Sequence, residues 1–103
     1  MNIFLRYNKG VKVKKLVSHG NTQSAIKELG RIEFSNSETN TTACVLSSRY
    51  YNLQKLIKEG SISTDEATVE INRINKCILD LLNESFQSLN IYSLFIKVLA
   101  ALV

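Results

Sequence analysis

Residues 43–81 read ACVLSSRYYNLQKLIKEGSISTDEATVEINRINKCILDL, and their spacing decides the fold. Ala43, Leu46, Tyr50, Leu53 and Ile57 recur at intervals of 3, 4, 3 and 4. Ala67, Ile71, Ile74, Ile78 and Leu81 recur at 4, 3, 4 and 3. Each set lines one side of a helix. Between them, Gly60 is placed to stop the first helix and Ser63 to cap the second. Glu66, three residues on, completes a capping box. Asp65 and Glu66 put negative charge at the positive end of that helix. Two helices of about 20 residues, each about 30 Å long, must fold back on each other.

Working outward, Asn8-Lys9-Gly10 reads as a turn, which leaves residues 1–10 as an irregular lead-in. Val11, Val13, Leu16 and Val17 start a short helix that His19 and Gly20 end. Asn21 suits the N-cap of the next helix, carried by Ala25, Ile26, Leu29 and Ile32. The connection between them is short enough to make an αα-hairpin. Residues 35–40, SNSETN, are polar and form the loop between the halves. On the far side, Ile91, Leu94, Phe95, Val98, Leu99 and Leu102 form an amphipathic stripe, with Asn90, Ser93 and Lys97 opposite. Residues 89–103 are too short for a membrane span, and Lys97 interrupts them. The expected fold is all-α: a single domain holding a small antiparallel bundle of four to five helices on a central αα-hairpin. Residues 11–85 form its core module and 89–103 a separate C-terminal helix.

Composition agrees with long helices. The chain has 103 residues, 45% hydrophobic and 21% charged, with no proline and no tryptophan. That supports one domain with a real core. The net charge of +4 is uneven. Residues 1–35 hold seven basic against two acidic side chains, a surplus of +5, and the remainder six against seven, −1. Such a basic third suits phosphate, a membrane surface or an acidic protein face. Lys12, Lys15, Lys27 and Arg31 form its candidate interaction face. Asp65, Glu66, Glu70, Asp80 and Glu84 form an acidic counterpart. Arg49, Asn52, Glu70, Asn72 and Asn75 fall level across the hairpin, so a polar seam is expected there. Arg49 is placed for Glu70, and Asn52 for Asn72 or Asn75.

Chemistry is sparse. His19 is the single histidine, and Cys44 and Cys77 stand apart without CxxC spacing. No metal, cofactor or catalytic set is read from this pattern. Both cysteines are expected to be buried thiols, and the start of the chain lacks a signal-peptide pattern, so the default compartment is the cytoplasm. No phosphate-binding glycine loop or small-molecule site is legible.

KLVSHGNTQSAIKEL (15–29) and LSSRYYNLQKLIKEGSISTDEATVEINRINKCILDLL (46–82) resemble the bacterial effector-associated domains of the eleventh type. The likeness rests on Gly20-Asn21-Thr22 with Ala25, on Ser48-Arg49-Tyr50 and Asn52, on Gly60 to Ser63, and on Glu70 to Ile74. It covers about two-thirds of the chain. The resemblance implies a death-like helical adaptor of prokaryotic immune and conflict systems, joining sensors to effectors by like-with-like contacts, and no catalytic residues. The expected function is therefore a non-enzymatic adaptor. Its partner is another copy or a related helical adaptor domain, with a homo-oligomer as one form. The alternatives are nucleic-acid or anionic-surface binding through the basic third, which lacks a base-reading pattern, and membrane association through residues 89–103.

Overall fold

The computed structural model describes residues 3–102, with side chains for residues 3–86 and 96–102. The described residues form four helices: α1 (Ile3–Ser18), α2 (Thr22–Leu29), α3 (Ser37–Lys58) and α4 (Thr64–Leu102). α1 packs on α2 and α3 on α4, and contacts between α2 and α3 and between α1 and α4 join the two hairpins. The molecule is elongated, 62 × 24 × 17 Å. Its length is that of α4, since 39 helical residues span about 58 Å.

Both predicted stops are built the same way. Gly20 (φ +77°) and Gly60 (φ +71°) take the left-handed conformation that favours glycine. Gly20 N–H donates to Val17 O and Asn21 N–H to Leu16 O. Gly60 N–H donates to Ile57 O and Ser61 N–H to Leu56 O. Each is a Schellman closure, which satisfies two carbonyls that the last helical turn leaves free. The starts differ from each other. Ser63 Oγ accepts from Glu66 N–H at 3.1 Å, as the capping pattern requires. Asn21 makes no side-chain cap and contributes only its carbonyl, to Ala25 N–H.

The core unites the expected stripes. Val13 and Val17 come from α1, Ala25, Ile26 and Leu29 from α2, and Ala43, Leu46, Tyr50 and Leu53 from α3. α4 adds Ala67, Ile74, Ile78, Leu81, Leu82 and Phe86. Ile32 and Phe34, between α2 and α3, complete it. Phe34 is held by one side chain: Asn40 Oδ1 accepts from its N–H at 3.0 Å and Asn40 Nδ2 donates to its carbonyl at 2.9 Å. The asparagine amide thus satisfies both backbone groups of a buried loop residue.

Five expectations are corrected. Residues 3–10 are not an irregular lead-in but the first turns of α1. Glycine costs about 1 kcal/mol against alanine inside a helix, yet Gly10 is buried there because the Phe86 ring occupies the space a Cβ would take. Residues 89–102 are not a separate helix, because α4 runs on without a break; neither glycine nor proline occurs in 64–102 to stop it. The loop before α3 is shorter than SNSETN: Asn36 Oδ1 caps Glu38 N–H at 2.8 Å and the helix starts at Ser37. Cys44 is exposed, lying one position off the buried stripe at Ala43, and Cys77 is half-buried. Ile57 is exposed, because it sits in the last turn of α3 where the hairpin opens. Among the described residues, no helix is long and apolar enough to cross a membrane.

Candidate interaction surfaces

α1 and α2 lie side by side through the Gly20 turn, and this pairing assembles the basic face. Lys12, Lys15, Lys27 and Arg31 are all exposed. Lys12 and Lys15 are neighbours at i,i+3 and Lys27 and Arg31 at i,i+4. Between the helices stands Glu28, whose side chain is 15% exposed. Its carboxylate accepts from Arg31 Nη1 at 2.9 Å and lies 3.5 Å from Lys12 Nζ. Lys15 and Lys27 flank this cluster and make no ion pair among the described residues. Lys9 belongs to the same face, with its Nζ donating to Arg31 O at 3.4 Å. Reading residues 8–10 as a turn concealed it; on a continuous helix, Lys9 and Lys12 share a side. Lys14 points elsewhere and donates to Asn83 Oδ1 on α4 at 2.7 Å.

The acidic residues share α4 but not one patch. From Asp65 to Glu84 is about 28 Å along the axis. Asp65 and Glu66 are exposed in the first turn, without ion pairs among the described residues. Asp80 and Glu84 lie one turn apart at the far end of this acidic stretch, midway along α4. Glu84 lines a cavity of about 300 Å³ with Arg6, Phe34, Ser35, Asn36, Thr39 and Ser85. Glu70, in the middle, is already engaged. It accepts from Arg73 Nη1 at 2.9 Å and from Arg49 Nη2 at 3.3 Å.

Those two bonds, Arg73 first and Arg49 second, hold the Glu70 carboxyl below its ordinary value of 4.5. A lowered folded-state pKa adds stability that is complete above the unfolded value and disappears as pH falls through the folded one. Glu70→Gln is therefore expected to lower the unfolding midpoint slightly at neutral pH, as suits an exposed pair. The difference from the parent closes as pH drops well below 4.5. Thermal melts at matched pH check this, and a gap that persists in acid contradicts it.

Only one arm of the expected seam forms. Arg49 meets Glu70 as anticipated, tying α3 to α4. Asn52 and Asn72 are exposed, so no buried pair is made there. Asn75 turns instead to α2, where its Oδ1 accepts from Thr22 Oγ1 at 2.9 Å. Thr22 is the one buried polar residue among those described, 6% exposed, and this bond satisfies it. Levels across a hairpin predicted Arg49–Glu70, but they say nothing of a third helix lying over the pair.

Sequence reading also missed an open groove of about 630 Å³ lined by Gln23, Tyr50, Tyr51, Gln54, Lys55, Ile57 and Lys58. The rings of Tyr50 and Tyr51 meet edge to face, 5.6 Å apart. Burial, and secondarily the neighbouring Tyr51, pushes the Tyr50 hydroxyl above 10.0. His19 is exposed just past α1. Among the described residues, no three His, Cys, Asp or Glu side chains are placed to hold a metal ion.

Two helical hairpins, closed by glycine and joined through one core, with their charges on exposed helix faces, define a small helical-bundle domain. The chain belongs to the effector-associated domain 11 family, which matches residues 11–85. Membership carries an adaptor-type role in association with effectors. No curated protein and no solved structure gives a significant match. The first turns of α1, and α4 from Phe86 onward, lie outside the matched segment.

Proposed function

We propose that this domain is a cytoplasmic adaptor of a bacterial defence system, acting by binding rather than catalysis. It recruits a second copy or a related helical adaptor through homotypic contacts. The observation that carries this reading is the exposed basic α1–α2 face in an effector-associated domain whose α4 begins with the exposed acids Asp65 and Glu66, which make no ion pair among the described residues. Basic face against acidic helix start is a heterologous contact, which builds rings or filaments. Charge complementarity of this kind governs specificity and association rate. Asp80 and Glu84 offer a second acidic site, midway along α4.

Charge reversal tests it. Lys15→Glu with Lys27→Glu is the cleaner variant, because reversing Lys12 also strips a cation from Glu28. Adding Lys12→Glu completes the set. Capture of a tagged copy at low salt is expected to fall by about tenfold or more, and to recover when Asp65→Lys and Glu66→Lys are placed on the partner. Unchanged capture by the triple variant contradicts this interface.

A further inference from the structure

Exposed charge pairs govern specificity and association rate but contribute little affinity. A specific interface has an apolar centre inside its polar rim. The groove between α2 and α3 is placed to be that centre. It adjoins the basic face through α2, where Gln23 of the groove stands one turn from Lys27 and both are exposed. Along α3 it runs from Tyr50 to Lys58, about 12 Å of helix. Tyr51 and Ile57 are its open apolar side chains, 48% and 40% exposed.

The polar groups of the groove favour a negative occupant. No acidic residue lines it. Lys58 makes no ion pair among the described residues, and Lys55 reaches only Glu59, at 4.0 Å. Tyr50 is 5% exposed, yet its hydroxyl makes no hydrogen bond among the described residues. A buried hydroxyl needs a partner, and the groove that Tyr50 lines is where one can reach it. These side chains together select an apolar side chain flanked by carboxylates.

This chain carries that combination on α4. From Thr64 to Phe86, Val69 is the one large apolar side chain that α4 leaves exposed. Asp65 and Glu66 precede it by four and three residues, so all three share a face. The acids lie about 5–6 Å along the helix axis from Val69, which matches the roughly 6 Å between Lys27 and Gln23 on α2.

We propose that the α4 start of a second copy seats in this groove. Val69 packs on the Tyr51 ring, and Asp65 and Glu66 are divided between the Lys55–Lys58 rim and the basic face. A carboxylate of that turn accepts from the Tyr50 hydroxyl. Groove and acidic turn are different residues, so the contact is heterologous. The proposal rests on the homotypic reading above and adds its apolar anchor.

Capture of a tagged copy, with the full chain on both sides, tests it. Tyr51→Ala in both copies, or Val69→Asp in both, is expected to lower capture by about tenfold or more, with helical circular dichroism retained. Val45→Ala, exposed on α3 outside the groove, leaves capture unchanged. A Tyr51→Ala copy keeps its acidic turn and a Val69→Asp copy keeps its groove. Mixing the two therefore restores capture, which a merely structural role for either residue does not do. Failure of the mixed pair to recover overturns the proposal. If Lys15→Glu with Lys27→Glu abolishes capture while Tyr51→Ala and Val69→Asp leave it intact, the groove is wrong and the charged contact stands. No capture by the parent chain overturns both.

Discussion

Phe86→Ala is expected to destabilise the bundle by about 3–5 kcal/mol, a large share of the roughly 5–15 kcal/mol that holds a domain folded. Phe86 is 6% exposed. Its ring stacks edge to face on Tyr7, tilts against Phe34 at 6.5 Å, and fills the space over Gly10. Three separate segments thus converge on one side chain. Truncation removes its transfer free energy and leaves a cavity that Gly10, with no side chain, cannot help to fill. Gly10→Ala acts from the opposite side. It gains about 1 kcal/mol of helix propensity, but its Cβ enters the Phe86 ring, which Tyr7 and Phe34 hold in place. Overpacking costs about 1–3 kcal/mol, so a net loss is expected. The double variant is then less damaged than the two singles predict, because the new methyl occupies part of the vacated space. Urea unfolding of the four proteins measures the coupling. Strict additivity means that Gly10 and Phe86 do not pack directly.

Ile78→Ala is expected to cost about 3–4 kcal/mol and to lower the melting temperature by roughly 15–25 °C. Ile78 has no solvent exposure and belongs to the α4 stripe that seals the core. Ile57 belongs by spacing to the facing stripe on α3, yet it is 40% exposed. Ile57→Ala is therefore expected to cost under about 1 kcal/mol. The pair of melts separates membership of a heptad from burial. Equal losses at the two sites contradict the placement of Ile57 outside the core.

Much of the bundle could be read directly. Stops at Gly20 and Gly60, the start at Ser63 and the buried stripes on α3 and α4 follow from backbone conformational preference and 3.6-residue periodicity. Both act within a few neighbouring residues. Arg49–Glu70 was legible for a related reason: a short turn sets the level of two antiparallel helices. The basic residues were visible as well, but reading Asn8-Lys9-Gly10 as a turn left Lys9 off the face that it shares with Lys12 and Arg31.

What needed the tertiary structure depends on groups distant in the chain. Gly10 is helical because a ring 76 positions away packs onto it, and no local preference carries that information. Thr22 takes Asn75, leaving Asn52 and Asn72 in solvent, because α2 lies over a hairpin whose own spacing cannot register a third helix. Arg73 and Arg49 already occupy Glu70, so the acidic residues on one helix do not add up to one acidic face. The apolar pattern of the last stretch was plain in the sequence, but its exposure was not. Periodicity records which side of a helix seeks cover, and only the packing of the other helices decides whether this copy of the chain provides it.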